Sequence, residues 1–388
     1  MPYDTPELTE PEVLHHALST LHDHLPLHAE GYTCTTDDLF KVLLGVAVNR
    51  ATIESVCADL VGSPDPQTIR GYLNAQLRVE ELPELERQLN DALAAELPPR
   101  VRRHTREVAI DYHDRPYYGK GTQAADLWVR GQAKEGTTRF YRVATAYVVL
   151  KGLRLTLALC FVLPDDDTVS VVATLLKRVK RLGIALTCLL LDKGFASIGV
   201  MAYLASQPQP ALIACPIRGT TGGTRALCQG RRSYCTTHTF SGEHRAEFTA
   251  AVAVCRVFTT AKRTKRLRRR AEWLVFILIH VALSPRAARQ RYRERFGVET
   301  SYRCAGRVRG WTTSRNPAYR FVLLALAFVL LNVWIHLRWI FTQVPRRGGR
   351  WLDTPRFQLT RFVAFIRRTL EHLYGCTQMV IAPAVPRC

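Results

Sequence analysis

The sequence has few acidic residues and little lysine. Its 33 Asp and Glu residues are outnumbered by 54 Lys and Arg residues, so the 388-residue chain has a formal net charge of +21 at pH 7. Such a basic balance is typical of a protein whose partner is a polyanion, most often nucleic acid. Arginine supplies 45 of the 54 basic residues. Because genomic base composition can produce the same excess, the arginine preference alone does not predict a phosphate-binding design.

The sequence also lacks a cysteine framework. Its 11 cysteines are scattered along the chain, and several lie within apolar runs. This distribution is typical of reduced, buried thiols in the cytoplasm and disfavours a disulfide-stapled secreted protein. The N-terminal stretch is acidic and polar, which predicts no signal peptide. We therefore expect a cytoplasmic protein, associated with the nucleoid if its polyanion is DNA.

One apolar run approaches the length of a membrane span. Phe321 to Leu337 has 17 residues, whereas a span needs roughly 20, with about 17 as the lower limit. Asn332 and His336 lie inside this run, and arginines flank it at both ends. We therefore expect a buried core helix and no membrane partner, with a membrane span as the alternative.

Residues 1–103 are predicted to form a helical domain, which ends in a basic linker. Apolar side chains recur there at helical spacing. Thr52 to Leu60 and Gln67 to Leu77 are predicted helices, separated by a turn at 62–66 that contains Gly and Pro. This helix, turn, helix order favours a DNA-binding unit, and a plain helical bundle is the alternative.

Residues 104–218 are predicted to form the first part of an α/β core. Three strands are expected at Glu107 to Asp111, Arg139 to Val149 and Leu153 to Leu163, with Gly152 in a hairpin turn. A helix at Thr168 to Leu182, a strand at Ala185 to Asp192, a helix at Ile198 to Ser206 and a strand at Ala211 to Ile217 follow. Three strands and then alternating helices and strands predict a mixed sheet.

The remaining chain divides into three segments. Residues 219–270 predict a β-rich insertion that ends in the basic run Lys262 to Arg270, expected to be a loop over DNA; a solvated surface loop is the alternative. The phosphate-binding candidates in this run are Arg266, Arg268, Arg269 and Arg270. Residues 271–340 complete the core, with a strand at Trp273 to Leu283 and a helix that begins at Ser284-Pro285. Residues 341–388 are a C-terminal tail, assigned to DNA contact or dimerisation.

Two acids each follow a predicted buried strand. Asp111 comes directly after Val108 to Ile110, and Asp192 comes directly after Leu189 to Leu191. Acids at the ends of buried strands contribute little to packing, so they are candidates for a catalytic role. Two such strand ends can lie side by side in one sheet. Each acid alone is more often a turn or cap residue. Asp114 is the alternative to Asp111.

A third acid, Glu299, lies among arginines and tyrosines in the tract 292–303. Helical spacing puts Tyr292, Arg295 and Glu299 on one face. A carboxylate repels phosphate, so its presence among phosphate-binding groups is explained if it binds a metal ion that in turn binds the phosphate. Glu299, Asp111 and Asp192 together are predicted to hold two Mg²⁺ or Mn²⁺ ions, about 3.5–4 Å apart, around a scissile phosphate.

These motifs resemble those of the DDE transposases of prokaryotic insertion sequences. One large group of that family has Asp-x-Gly-Tyr/Phe around its second acid, and Asp192 to Phe195 matches it. The same group has Tyr-x2-Arg-x3-Glu-x6-Lys around its third acid, and the tract at Tyr292, Arg295 and Glu299 matches in register. Residue 306 departs from the pattern, since it is Gly instead of Lys; the candidate replacements for the cation are Arg303 and Arg307.

The resemblance implies a fold and a function. It implies an α/β fold with an RNase H-like catalytic core, a β-rich insertion, a helical N-terminal domain and a helical C-terminal region. Tyr292 and Arg295 would bind DNA phosphates. The partners would be double-stranded DNA with terminal inverted repeats and a target DNA, on which the protein acts as a homodimer, cleaving the ends and joining their 3′-hydroxyls to the target. A metal-dependent nuclease without strand transfer and a catalytically decayed DNA-binding regulator are the alternatives.

Overall fold

The elements of the chain follow from a computed structural model, which describes residues 7–119, 127–150, 153, 155–242, 245–263, 266–295, 297–347 and 349–377. The helices are α1 (Glu10–His24), α2 (Thr36–Asn49), α3 (Ile53–Asp59), α4 (Pro66–Gln76), α5 (Leu82–Ala95), α6 (Pro99–Arg102), α7 (Thr168–Arg181), α8 (Ile198–Ala205), α9 (Pro285–Glu294), α10 (Gly297–Ala305), α11 (Pro317–Phe341) and α12 (Leu359–Tyr374). The strands are β1 (Glu30–Gly31), β2 (Cys34–Thr35), β3 (Arg106–Pro116), β4 (Val129–Lys134), β5 (Thr137–Val148), β6 (Thr156–Val162), β7 (Leu186–Leu191), β8 (Ala211–Cys215), β9 (Tyr234–Ser241), β10 (Glu247–Arg263), β11 (Arg266–Ile279), β12 (Gln343–Arg346) and β13 (Gly349–Leu352). Contacts divide them into two units, one of residues 1–96 and 303–388 and the other of residues 97–302.

The first unit is helical. Local signals start its helices: Thr9 and Glu12 form a capping box at α1, and Thr35 and Asp38 form another at α2, which satisfies backbone N–H groups that have no partner in the helix. The two helices predicted around the turn at 62–66 are present as α3 and α4. Asp65 caps α4 by accepting hydrogen bonds from the first backbone N–H groups of that helix.

Helix α11 is the apolar run that the sequence analysis weighed as a membrane span. Among the described helices it is the one long and apolar enough to cross a membrane, and 89% of its most apolar window is buried inside the structure. Asn332, fully buried, donates its side-chain N–H to the carbonyl of Leu93 at 3.1 Å. A buried polar group that is satisfied within the protein is what a soluble core requires. The observed burial therefore supports the predicted core helix, which packs on the N-terminal helices α1, α2 and α5.

The second unit is built on one large mixed sheet. Its strand order is β6–β5–β3–β7–β8–β11–β10–β9, and β4 pairs with the first half of β5, beside the segment that β6 covers. Strand β5 is antiparallel to β3 and β6, whereas β3, β7 and β8 are parallel to one another. The leucine-rich β7 is apolar along its whole C-terminal part, as expected for a central parallel strand covered on both faces. The predicted mixed α/β architecture is thus confirmed.

Strand β3 is longer than predicted. Its expected end was Asp111, but it runs to Pro116 because β5 continues to pair with it up to Pro116↔Phe140. The parallel pairing with β7, by contrast, stops at Ile110↔Leu191. Asp111 therefore lies inside β3, directly after the last residue of β3 that pairs with β7. The hairpin turn predicted at Gly152 lies outside the described residues.

The basic run Lys262 to Arg270 is not the loop that the sequence predicted. Strands β10 and β11 form a long hairpin whose pairing extends from Ala251↔Leu278 to Arg263↔Arg266. The ladder starts among buried residues such as Val252 and Ile277 and continues outward because backbone pairing does not depend on side-chain charge. Arg266, Arg268, Arg269 and Arg270 therefore belong to β11; of these, the side chain of Arg270 is described, and it is exposed.

Candidate active site

Asp111 and Asp192 lie next to each other, at the point where the pairing of the parallel strands β3 and β7 ends. Ile110 and Leu191 are the last paired residues of β3 and β7, and each acid directly follows one of them. Asp111 is the more enclosed, with 15% of its side chain exposed against 33% for Asp192. The two acids therefore lie side by side, although Asp111 is inside β3; their catalytic role stays a prediction.

Arg295 joins the two acids. Its Nη1 lies 3.0 Å from Asp111 Oδ2, and its Nη2 lies 3.5 Å from Asp192 Oδ1. The residue is 5% exposed, and its Nε and Nη1 make no hydrogen bond of good geometry among the described residues. The contacts are therefore ion pairs of a buried guanidinium whose hydrogen-bonding capacity is not used up.

Tyr292 holds the second acid. Its hydroxyl donates a hydrogen bond to Asp192 Oδ1 at 2.9 Å, and its ring packs against Phe276 of β11, with centroids 5.1 Å apart. Burial raises the pKa of Tyr292, so the hydroxyl stays a donor. The resemblance implied that Tyr292 and Arg295 bind DNA phosphates; in this structure both contact the acids.

The turn after Asp192 is fixed by packing. Residues Lys193–Phe195 form a single 3₁₀ turn, and the N–H of Phe195 donates to the carbonyl of Asp192 at 2.9 Å. Phe195 is fully buried and stacks on Tyr112, with centroids 4.5 Å apart and an angle of 13° between rings. Phe195, three positions after Asp192, therefore orients the turn through its buried ring. Its stacking partner Tyr112 was not among the residues predicted from the sequence.

Glu299 is on a different helix from Tyr292 and Arg295. The sequence predicted one helix from Ser284 through Glu299, but α9 ends at Glu294 and α10 begins at Gly297. The expected common face of Tyr292, Arg295 and Glu299 does not exist. Gly297 explains part of the break: glycine weakens a helix, and a Cβ at this position would lie 3.2 Å from the hydroxyl of Tyr147 on β5.

Tyr302 anchors α10 to the sheet beside the first acid. Its hydroxyl lies 3.1 Å from the backbone carbonyl of Asp111 and 2.7 Å from Oγ1 of Thr145, the residue opposite Asp111 on β5. Glu299 is one turn earlier on the same helix, so the two residues are neighbours on the helix surface. The side chain of Glu299 is exposed, and no contact between it and either Asp is found in the described part of the chain. Tyr302 lies three residues after Glu299 in the sequence, and this spacing could have indicated its anchoring role, which was not predicted.

Asp114 is committed elsewhere. It forms a two-point ion pair with Arg142 of β5, at 2.6 and 2.9 Å, and that guanidinium also lies over the ring of Tyr112 at 4.8 Å. Bidentate pairs of this kind are geometrically specific. The structure therefore brings Asp111, and not its rival Asp114, to the arginine that also contacts Asp192.

The electrostatics of the pair favour a cation. Burial raises the pKa of Asp111 from 3.8 to about 6; Arg295 opposes this rise and the charge of Asp192 adds to it. Two carboxylates this close are held together by positive charge, here that of Arg295. Carboxylate oxygens are the donors that hard divalent ions such as Mg²⁺ or Mn²⁺ prefer, so Asp111 and Asp192 fit such an ion chemically, whereas Glu299 contacts neither of them in the described part of the chain.

Two further residues that were predicted to contact DNA, Arg303 and Arg307, are exposed. Arg303 is in the last turn of α10, and Arg307 follows that helix after Gly306, the position at which the insertion-sequence pattern has Lys. Both arginines are accessible to a large ligand. Their DNA-binding role stays a prediction.

No family model and no curated protein matches the sequence. Among solved structures, the chain is similar to that of the cryo-EM structure of a piggyBac transposase synaptic complex with hairpin DNA, with a TM-score of 0.55 and 11% sequence identity. The match covers 96% of this chain and 78% of the transposase chain. At this identity the likeness shows that the chain has a transposase-type fold, and it does not extend to the prokaryotic insertion-sequence group that the motifs resemble.

Proposed function

We propose that the protein is a DDE-type DNA transposase that acts on the terminal inverted repeats of an insertion sequence. The observation that carries this proposal is the placement of Asp111 and Asp192 side by side, where the pairing of the adjacent parallel strands β3 and β7 ends, with both acids in contact with buried Arg295. The strand order β6–β5–β3–β7–β8, with β5 antiparallel to both neighbours and the other pairs parallel, supports an RNase H-like core. The transposase-type fold and the net charge of +21 support a DNA partner.

Asp111, Asp192 and Glu299 are the residues proposed to hold two divalent ions, Mg²⁺ or Mn²⁺. When bound, such ions would activate the attacking water or 3′-hydroxyl and stabilise the leaving oxygen. Asp111 supplies a carboxylate fixed by the sheet, and Asp192 supplies one oriented by Tyr292 and by the Phe195 turn. Glu299 is exposed at the start of α10 and is proposed as the third ligand.

Arg295 has a double role in this proposal. Without DNA, it neutralises the two acids. Its Nε is buried and makes no hydrogen bond among the described residues, so it keeps a donor for a further oxygen. Guanidinium groups pair well with phosphate. We therefore propose that a DNA phosphate recruits Arg295 from the carboxylates, which are then available to the cations.

The DNA contacts are proposed on several elements. The basic end of the β10–β11 hairpin carries Arg266, Arg268, Arg269 and Arg270; Arg303 and Arg307 lie at the end of α10, and α3 and α4 form the proposed DNA-binding unit. Positive charge along these elements supplies sequence-independent affinity for the phosphate backbone. Because two transposon ends must be held together, we propose a homodimer on DNA, in the nucleoid of the cytoplasm.

The test is a cleavage and joining assay on DNA that carries the repeats flanking the gene. Wild type is compared with Asp111→Asn and Asp192→Asn, with Asp166→Asn in an exposed loop as the matched acid control. We expect nicking and joining in Mg²⁺ or Mn²⁺ for wild type and the control, and loss of both reactions in the two active-site variants with DNA binding retained.

Three other results would each redirect the assignment. Nicking without joining by wild type would indicate the nuclease alternative. Binding without nicking would indicate a decayed regulator, consistent with Gly306 in place of the family's Lys. Cleavage that survives both Asp111→Asn and Asp192→Asn would refute the proposed site.

A further inference from the structure

A second cluster of metal-ligating side chains lies in the unit of residues 1–96 and 303–388. It consists of His16 on α1, Glu96 directly after α5 and His336 on α11, whose ligand atoms all lie within 4.8 Å of one another. His16 Nε2 is 3.1 Å from Glu96 Oε2, and His336 Nδ1 is 3.4 Å from the same oxygen. The three residues are far apart in the sequence, so the fold alone assembles them.

Glu96 is an unusual residue to bury. It is 4% exposed, and an ionised carboxylate taken out of water needs compensating charge or hydrogen bonds. Thr20 donates to Glu96 Oε1 at 2.8 Å. His16 Nε2 lies 3.2 Å from the same oxygen and 3.1 Å from Oε2, which His336 also contacts. The side chains of the two histidines remain 34% and 22% exposed. The cluster is therefore closed on the side of Glu96 and open to water on the side of the imidazoles.

The distances from the two histidines to Glu96 suit ligands around one ion, and all three ligand atoms lie within 4.8 Å of one another. Two ligands of a tetrahedral zinc site, each about 2.0–2.1 Å from the metal, are about 3.3 Å apart. The observed His16 and His336 distances to Glu96 Oε2, 3.1 and 3.4 Å, bracket that spacing. As a hydrogen bond, the His336 contact is weak: its Nδ1 is 3.4 Å from the carboxylate and 3.3 Å from the backbone carbonyl of Glu96, both beyond the usual N–H···O range.

We propose that His16, Glu96 and His336 bind one divalent transition-metal ion, for which Zn²⁺ is the probe, with water in the open position. Imidazole nitrogen with one carboxylate suits zinc and its neighbours in the transition series, whereas Mg²⁺ prefers oxygen ligands and its own water shell. This site is therefore chemically distinct from the Asp111 and Asp192 pair. The ion would tie α1 to α11 through Glu96 and so stabilise the helical unit, independently of the proposed DNA chemistry.

The test measures zinc binding by the full-length protein after chelation, in excess Mg²⁺ so that oxygen sites are occupied. Isothermal titration is performed on wild type, His16→Gln and His336→Gln, with His15→Gln as control, because His15 is the exposed neighbour of His16 on α1. We expect wild type and His15→Gln to bind one more Zn²⁺ than the other two variants, or to bind it more than about tenfold more tightly. Zn²⁺ should also raise the thermal midpoint of the first two proteins by more than that of the others.

A measurement on wild type alone guards against variants that do not fold. Co²⁺ bound in place of Zn²⁺ should show the visible absorption of a nitrogen and oxygen site without a thiolate charge-transfer band. A thiolate band would assign the ion to cysteines such as the exposed Cys235 or Cys376 and overturn the proposal. Equal zinc stoichiometry and affinity in all four proteins would overturn it as well, and neither result bears on the cleavage assay.

Discussion

At the scale of single residues, Arg295 contacts both Asp111 and Asp192, and in our proposal it competes with metal ions for their oxygens. Replacing it by Gln leaves Asp111 and Asp192 without their counter-charge, and loss of one partner of a buried pair costs about 3 kcal/mol. We expect Arg295→Gln to lower the free energy of unfolding by about that amount in metal-free buffer. Mg²⁺ should then raise its thermal midpoint by more than that of wild type, because the carboxylates no longer bind an arginine.

The control for this experiment is Arg291→Gln. Arg291 is on the same helix and pairs with Glu107 at 2.8 Å, away from the two acids that contact Arg295. Its substitution should leave the Mg²⁺ response at the wild-type level. Equal Mg²⁺ shifts for wild type and Arg295→Gln would contradict the idea that the arginine and the ions compete for the same oxygens.

Asp114 provides a second residue-scale prediction. Because its carboxylate is already paired with Arg142, we expect Asp114→Asn to reduce stability by about 1 kcal/mol, as for a partly exposed ion pair, and to leave DNA cleavage near the wild-type rate. Urea denaturation and the cleavage assay measure the two effects. Cleavage lost in Asp114→Asn and retained in Asp111→Asn would reverse the assignment of the first acid.

The sequence could predict the acids but not all of their surroundings. An acid directly after an apolar strand is visible in sequence, so Asp111 and Asp192 were found. The contact of Arg295 with both of them was not, because a basic tract gives no sign of which arginine folds back on an acid. The cluster of His16, Glu96 and His336 has no motif spacing at all, since its members meet only through helix packing.

At the scale of secondary-structure elements, a hydrogen bond between Tyr374 and Asp38 links α12 to α2. Tyr374 in the last turn of α12 donates to Asp38 Oδ1 at 2.6 Å, and Asp38 also forms the capping box of α2. Burial alone would raise the pKa of Asp38, but the hydrogen bonds from Tyr374 and Thr35 lower it below 3.8. Removing the tyrosine hydroxyl should therefore loosen both the docking of α12 and the cap.

We expect Tyr374→Phe to reduce the free energy of unfolding by about 1 kcal/mol at neutral pH. Since the folded-state pKa of Asp38 is depressed, the stability it contributes is present above its unfolded value of 3.8 and is lost as the pH falls through the folded value. The difference between wild type and Tyr374→Phe should accordingly shrink below pH 3.8. A difference that stays constant down to the acid transition would show that the effect of the substitution does not arise from the bond between Tyr374 and the ionised Asp38.

Element boundaries show where local signals stop being sufficient. The strands β5, β6, β7 and β8 and the helices α3, α4, α7 and α8 follow from apolar patterns and caps, and they were predicted within a few residues; β3 ends later and β11 begins earlier than predicted, and β4 was not predicted. The break between α9 and α10 was not, because a single glycine inside a helical pattern costs only about 1 kcal/mol and does not by itself end a helix. Contacts of Gly297 and Tyr302 with β5 decide the break, and such contacts are a property of the folded sheet.

At the scale of the whole molecule, the net charge of +21 contributes to DNA affinity only through basic residues that lie close to the phosphate backbone. The basic end of the β10–β11 hairpin concentrates positive charge on one element. This segment was predicted to be a loop, but its residues are paired in strands. If the hairpin contacts DNA, each lost phosphate contact should reduce the slope of log affinity against log salt by about 0.9. The decisive quantity is therefore the salt slope rather than affinity at a single salt concentration.

We expect the triple substitution Arg266→Gln, Arg268→Gln and Arg270→Gln to weaken binding to any duplex and to lower the salt slope by about 2.7 if all three residues contact phosphates. The matched control removes three positive charges from α7, by Lys177→Gln, Lys180→Gln and Arg181→Gln. Because both triples change the net charge equally, a general electrostatic effect would alter both slopes alike. Fluorescence anisotropy on duplexes over a range of NaCl concentrations gives the slopes. An unchanged slope for the hairpin triple would mean that the basic hairpin lies away from DNA, and the charge that attracts DNA would then have to be sought on α10 and on the helical unit.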